Sequence, residues 1–179
     1  RDSSMSARSF FLYGCDTEFC AACACRCEDA GFKRTDTLDR AEFALAPRLT
    51  AVLNRRTFSA PKHGTLIFHP SILPYHRGPD AVRWAVHLGE RVSGVTWFWA
   101  DDGLDTGPLC EQEPVLLLPG ESPGRAYHTR FVPAGLRALE RALSGLKAGD
   151  PRRVPQDEAL VSYETFYAPA NATCPSSAS

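Results

Sequence analysis

The sequence has no apolar run that approaches the roughly 20 residues needed to cross a membrane. It also has no excess of one charge, because 20 Lys and Arg stand against 21 Asp and Glu, for a formal net charge of -1. This balance gives no electrostatic reason to expect nucleic-acid or membrane binding. Neither a secretory signal pattern nor a G-x-G-x-x-G turn is recognisable. We therefore expect a cytoplasmic protein without membrane or nucleic-acid partners.

The length and composition predict one globular domain with a sizeable core. The 179 residues are 44% hydrophobic and 23% charged, which are ordinary values for a soluble globular protein. Apolar runs alternate with helical patterns, and this alternation favours an α/β sheet. Strands are predicted over 9–13, 65–68, 94–99 and 113–118, and helices over 79–89 and 122–147, the second with a kink near Pro133.

The first 50 residues show a weaker pattern than the rest of the chain. Residues 41–46 and 49–53 are weakly periodic at helical spacing, and no element boundary is clear. We therefore predict a divergent or poorly ordered segment over 1–50 and the main domain over 51–165. A low-complexity, disordered tail follows over 166–179.

Five of the seven cysteines fall between residues 15 and 27. Among them Cys20 and Cys23 form a CxxC pair, which occurs in zinc sites and in redox motifs. A zinc site needs a second pair of Cys or His ligands, and the nearest histidine is His63. An odd number of cysteines argues against a disulfide framework. We expect free thiols in a solvated or poorly ordered segment, and a metal module is the weaker alternative.

His69 is the first candidate for chemistry. It follows the buried-looking strand 65–68 and precedes Pro70, which fixes the direction in which the chain leaves the strand. Ligands of α/β sheets bind at the carboxyl edge, so an imidazole at this place suits acid–base chemistry. Asp105 follows in the acidic, glycine-containing loop 101–107, which lacks the later ligands of an EF-hand. A buried, backbone-satisfied His and a solvated acidic turn remain the alternatives for these residues.

Two motifs at matching spacing resemble the formyl transferase family, whose members use 10-formyltetrahydrofolate. The first is HPSILP at 69–74 with Arg77 and Gly78, and the second is LDTGP at 104–108. The phrase FWADDGLDTG at 98–107 is most similar to the branch formed by the hydrolase domains of 10-formyltetrahydrofolate dehydrogenases. The resemblance covers about residues 59–164. It implies a Rossmann-like formyltransferase sheet with helices on both faces.

The resemblance also implies a folate-dependent one-carbon enzyme and a role for each matching residue. His69 would stabilise the formyl oxyanion while an amine or water attacks. Asp105 would hold His69 in its working protonation state and assist proton transfer through a water. His76 and Arg77 are expected to bind solvent, a carboxylate or the acceptor, and no metal is expected. The backbone of the implied binding residues Asp101, Asp102, Gly103 and Leu104 would line the pterin pocket. The other implied binding residues, Ser71, Leu73 and Gly78, would shape the loop beside it, a structural role more than a chemical one.

Two departures from the family pattern leave the activity open. Most members have an Asn two residues before the catalytic His, whereas Ile67 stands there and cannot donate to the oxyanion, a bond worth about 2.7–4 kcal/mol. The dehydrogenase branch shares this Ile.

The family also opens with a longer strand–loop–helix half than the 68 residues before His69, so we expect a truncated or divergent member. The alternative is a catalytically weak or inactive folate-binding or interaction domain. The acceptor (amine, nucleotide sugar, tRNA or water) and oligomerisation stay open.

Overall fold

The computed structural model describes residues 8–14, 17–49 and 51–168. Within these ranges six strands form one mixed sheet in the order β2-β1-β3-β4-β5-β6. The strands are β1 (Ser9–Leu12), β2 (Lys33–Arg34), β3 (Phe43–Ala46), β4 (Thr65–His69), β5 (Val92–Trp99) and β6 (Leu109–Leu116). Strands β1 to β4 pair in parallel, and β5 is antiparallel to both of its neighbours. The α/β class expected from the sequence is confirmed.

Helices α1 (Glu18–Asp29), α2 (Arg55–Phe58) and α3 (Ala81–His87) lie between strands of the sheet. Helices α4 (Pro123–Ala126) and α5 (Val132–Ala148) follow β6. None of the helices in the described parts of the chain is long and apolar enough to cross a membrane.

The amino-terminal half supplies three of the strands, so the expectation of poor order is wrong for its described residues. Helix α1 begins after Thr17, whose hydroxyl accepts a hydrogen bond from the N–H of Cys20. The helical spacing of residues 41–46 is also misleading, because Phe43–Ala46 is a strand that is buried on both faces. An interior parallel strand has no solvent face, and its continuous apolar run carries no period of two.

The cysteines of α1 do not lie in a solvated segment. Cys23 and Cys27 are packed in the core, and burial raises the pKa of both thiols. Cys25 is an exposed free thiol, whereas Cys20 is disulfide-bonded, contrary to the expectation of free thiols throughout. Cys15 lies outside the described residues. Among the residues that are described, no group of three or more His, Cys, Asp or Glu could hold a metal ion.

Helices α1 and α5 pack together on one face of the sheet. The ring of Phe19 in α1 lies 4.8 Å from the ring of Phe68 in β4, centroid to centroid. The indole of Trp97 in β5 donates to the carbonyl of Gly135 in α5 at 2.8 Å. Alternate residues of β4 point to the other face, where the hydroxyl of Thr65 donates to the carbonyl of Phe58 in α2. Helices therefore lie on both faces, as the fold prediction states.

The helix predicted over 122–147 is divided by a π-helical turn over Tyr127–Phe131. Pro133 has no N–H to donate, and the wider turn comes directly before it. One side of this helix is buried, and Leu136 on that side is only partly buried. Its fully buried members include Ala126, Phe131, Leu139, Ala142 and Leu146. The strand predicted over 113–118 begins earlier, at Leu109. Most of the predicted tail, residues 169–179, lies outside the described residues.

Candidate functional site

His69 is the last residue of β4, and its ring has one nitrogen already engaged. The side chain is 9% exposed, and Nε2 lies 2.7 Å from the carbonyl oxygen of His76. A carbonyl oxygen only accepts hydrogen bonds, so Nε2 carries a proton and donates it to this bond. Nδ1 is therefore the ring nitrogen that His69 can present to a ligand.

Asp105 faces that second nitrogen. Its Oδ2 lies 3.7 Å from Nδ1 of His69 and accepts the backbone N–H of Gly78 at 2.7 Å. A separation of 3.7 Å exceeds a direct hydrogen bond, but a water or a substrate atom placed between the groups can contact both. The two candidates for acid–base chemistry are therefore neighbours in space.

The strand order decides how Asp105 reaches His69. The sequence places each residue on a loop after a predicted strand and does not say how the two strands are arranged. Strand β5 is antiparallel to β4, and Trp99 at its end pairs with Leu66 near the start of β4. Residues 100–108 must therefore run back along β4 before Asp105 meets His69.

The turn at Asp105 is held by a buried network beneath it. The Nε2 amide of Gln156 donates to the carbonyls of Asp105 and Gly107, each at 2.8 Å. The Oε1 of Gln156 accepts from Nε and Nη2 of Arg77 at 3.1 and 2.8 Å. Asp105 has a φ of 55°, in the left-handed region that non-glycine residues rarely adopt. Such a conformation persists where its surroundings determine it, as these bonds do.

Arg77 links the histidine loop to the carboxyl-terminal segment. Its side chain is 0% exposed, and it bonds to Glu158 at 2.7 Å and to the hydroxyl of Tyr163 at 3.0 Å. The sequence left open whether Arg77 binds solvent, a carboxylate or the acceptor, and the structure selects a carboxylate of this chain. Gln156 and Glu158 were missed, because single polar residues in an irregular segment produce no periodic signal.

A cavity of about 1000 Å³ opens beside the pair, at the upper end of the range usual for small-molecule sites. Its walls combine apolar and polar groups. The predicted residues that line it are Ile67, His69, Gly78, Asp101, Asp102, Gly103, Leu104 and Asp105. Lining residues that the sequence did not suggest include Phe58, Tyr127, His128 and Phe166.

Two of the residues implied to shape the loop beside the pocket do not line the cavity. Ser71 and Leu73 are 0% and 1% exposed and lie inside the loop that follows His69. The hydroxyl of Ser71 donates to the carbonyl of Tyr75 at 2.6 Å, and the N–H of Leu73 donates to the hydroxyl of Thr96 at 3.1 Å. Their geometry fits a role in shaping the loop, without contact to a ligand.

The acidic loop is organised by its own side chains. Oδ1 of Asp101 accepts from the N–H of Gly103 at 3.0 Å and from the hydroxyl of Thr106 at 2.6 Å. The carboxylate of Asp102 pairs with the guanidinium of Arg55 across the rim of the cavity. The carboxylate of Asp101 is therefore engaged within the loop.

Ile67 lies two residues before His69, so both side chains point to the same face of β4. It lines the cavity with a hydrocarbon surface. This position offers a ligand apolar contact and no hydrogen-bond donor.

Comparison with known proteins gives a consistent result. The family model described as "Formyl transferase" matches residues 28–143. The human mitochondrial 10-formyltetrahydrofolate dehydrogenase is 37% identical over 132 residues, which are 74% of this chain and 14% of that protein. The chain thus spans about a seventh of the length of this relative.

Two solved structures share the fold. HypX from Aquifex aeolicus in complex with tetrahydrofolic acid superposes with a TM-score of 0.78 at 21% identity, covering 90% of this chain and 30% of that one. The formyltransferase PseJ from Anoxybacillus kamchatkensis, in complex with a formamido nucleotide sugar and tetrahydrofolate, gives a TM-score of 0.69 at 21% identity. It covers 88% of this chain and 86% of its own.

Proposed function

Because the chain belongs to the formyl transferase family, we propose that it binds 10-formyltetrahydrofolate and transfers or hydrolyses the formyl group. The observation that carries this proposal is the pairing of His69 and Asp105, 3.7 Å apart at the wall of a cavity of about 1000 Å³. A proton donor and a carboxylate with room for a reacting atom between them is the arrangement that acyl transfer needs.

In the proposed reaction, an amine or a water attacks the formyl carbon, and the carbonyl electrons move to oxygen. His69 stabilises this oxyanion by donating from Nδ1, which requires the imidazolium form because Nε2 also carries a proton. The carboxylate of Asp105, which lies beside this nitrogen, accepts the proton released by the nucleophile, directly or through a water. The carbonyl bond then re-forms, the bond between the formyl carbon and the folate nitrogen breaks, and that nitrogen takes up the proton that Asp105 accepted, directly or through a water.

The binding roles proposed for the remaining residues follow from their position. The backbone of 101–105, with the exposed side chain of Leu104, supplies one wall for the pterin. Phe58, Tyr127 and Phe166 supply further apolar and aromatic surface. No metal takes part in this scheme.

One observation supports a second candidate function. Ile67 leaves the oxyanion without the amide donor of most family members, and the loss of such a donor costs about 2.7–4 kcal/mol of transition-state stabilisation. A folate-binding domain with weak or no catalysis is therefore the alternative. We also propose a cytoplasmic location and a formyl acceptor that is an amine, a nucleotide sugar, a tRNA or water.

A formyl-release assay tests the proposal. The purified chain is incubated with 10-formyltetrahydrofolate, with and without candidate amines, and folate binding is measured in parallel. We expect turnover that His69→Ala abolishes while folate affinity is retained. Tight folate binding without turnover supports the alternative, and the absence of both contradicts the two proposals.

A further inference from the structure

His76 is a buried, charged residue that the proposed chemistry does not use. Its Nδ1 lies 2.8 Å from Oε1 of Glu164, and its Nε2 lies 2.7 Å from Oε1 of Glu90. Ionised carboxylates only accept hydrogen bonds, so both ring nitrogens donate and the ring is an imidazolium. Burial disfavours that charge, but the two carboxylates outweigh it, and the pKa of His76 is raised above its usual 6.5.

The backbone of His76 is fixed as firmly as its ring. Its N–H donates to the hydroxyl of Ser162 at 2.8 Å, and its φ of 53° lies in the left-handed region. Its carbonyl oxygen then points to His69 and accepts from Nε2 at 2.7 Å. The ring and the carbonyl belong to one residue, so a restraint on the ring also restrains the carbonyl.

We propose that His76 is a positioning residue for His69. Its ring, bridged by Glu90 and Glu164, holds its carbonyl against Nε2 of His69 and so directs Nδ1 toward the substrate. This inference rests on the proposed function, because it assigns how the reactive nitrogen of that site is selected.

The selection matters because a neutral imidazole can carry its proton on either nitrogen. With the carbonyl of His76 in place, the proton of the neutral ring stays on Nε2, and Nδ1, which lies beside Asp105, takes up the second proton that donation to the oxyanion requires. If the carbonyl moves away, the neutral ring can place its proton on Nδ1 and direct it to Asp105. A loop shift that misplaces the ring by about 1 Å can lower a rate on the order of 10²-fold.

The variants separate the ring bridge from the backbone conformation. His76→Gly removes the ring but accepts a positive φ, whereas His76→Ala removes the ring and strains the backbone. Glu90→Gln and Glu164→Gln each weaken one end of the bridge with little change in shape. Glu113→Gln is the matched control, because Glu113 is a similarly enclosed carboxylate with two partners, Arg137 and Arg141 of α5.

Two readouts are combined. The ¹⁵N chemical shifts of the His69 ring report its tautomer in the protein without substrate, and steady-state kinetics report kcat and the KM for the folate substrate. We expect His76→Gly and the double variant Glu90→Gln with Glu164→Gln to add a population of neutral His69 that carries its single proton on Nδ1. We also expect kcat to fall by about 10-fold or more. The KM for the folate substrate should be unchanged in these variants. Glu113→Gln should match wild type in the His69 tautomer, kcat and KM.

The inference is overturned if His76→Gly leaves both the His69 tautomer and kcat as in Glu113→Gln. It is also overturned if kcat falls with the tautomer unaltered, since the carboxylate bridge would then act only through stability. Should a double variant unfold, the single Glu90→Gln variant carries the same two readouts. A tautomer change in a chain that shows no turnover would support the positioning and contradict the proposed function instead.

Discussion

The carboxylate of Asp105 accepts the backbone N–H of Gly78 at 2.7 Å. This hydrogen bond joins two loops that are separated along the chain, the loop after His69 and the acidic loop after β5. The carboxylate of Asp105 is thus oriented by the backbone of the segment that carries His69. A disturbance of either loop is expected to reach both members of the pair.

Replacing Asp105 by Asn tests the carboxylate itself. Asn is similar in size, tolerates the left-handed backbone at this position and can still accept from Gly78, so the fold should persist. The negative charge beside Nδ1 of His69 is lost, and general acid–base catalysis of this kind contributes about 10²–10⁴-fold. We expect kcat for formyl release to fall by such a factor with the folate KM little altered. A rate within twofold of wild type would contradict the role.

Gly78→Ala tests the close approach of the histidine loop to the carboxyl-terminal segment. Gly78 has a φ of +97°, and an added methyl group would run into the carbonyl oxygen of Glu164. We expect a loss of about 2 kcal/mol or more in the free energy of unfolding, measured in urea. Gly149→Ala is the control, because its φ is +78° and nothing lies within 4 Å of the added carbon. Equal losses for both variants would show that the contact with Glu164 is unimportant.

Gln156 forms two kinds of hydrogen bond. We expect its bonds to Arg77 to contribute to stability and its bond to the carbonyl of Asp105 to position that residue. Gln156→Leu leaves two buried carbonyls unpaired and removes an acceptor from Arg77, and we expect a loss of about 1–3 kcal/mol. Gln156→Glu keeps an acceptor for Arg77 but donates nothing to the carbonyl of Asp105. Glu should therefore preserve more stability than Leu, yet still lower kcat. The measurements are urea unfolding and the formyl-release rate, and an unchanged kcat in both variants would contradict the prediction.

Ile67→Asn tests whether the proposed oxyanion lies beside Ile67. The Asn side chain would project into the cavity on the same face of β4 as His69 and supply an amide donor. Because one oxyanion donor is worth about 10²–10³-fold in kcat, we expect formyl release or transfer to accelerate. Ile67→Leu, which adds no donor, should match wild type. A rate for Ile67→Asn at or below that of Ile67→Leu would argue against an oxyanion at this place.

The ionisation of His76 predicts a pH dependence of stability. Its two carboxylate partners raise its folded-state pKa above 6.5, although burial acts in the opposite direction. A raised pKa means that the stabilising contribution is complete below the unfolded-state value and is lost as the pH rises through the folded-state value. The stability difference between wild type and His76→Gly should therefore be larger at about pH 6 than at about pH 9. A difference that is constant in urea unfolding at both pH values would contradict this linkage.

The local sequence pattern predicted secondary structure correctly where apolar residues formed a clear run or a clear helical spacing. The strand that ends at His69 was predicted from an apolar run between Gly64 and Pro70, and β5 was predicted from its β-branched and aromatic residues. The helix over 122–147 was predicted from its helical spacing of apolar residues. The prediction failed for Phe43–Ala46, a strand buried on both faces whose apolar run carries no period of two. It also failed for α1, whose cysteines were mistaken for a solvated cluster.

The sequence by itself determined which residues can do chemistry: His69 after a buried strand, Asp105 in an acidic loop, and the two motifs that carry the family resemblance. Only the tertiary structure decided how they meet. In the folded chain β5 is antiparallel to β4, and Asp105 lies 3.7 Å from His69. Gln156, Glu90 and Glu164 bind the two loops that carry these residues. Glu164 lies 88 residues from His76 along the chain. Periodicity and turn chemistry act between near neighbours, whereas these polar contacts depend on the packing of the whole sheet.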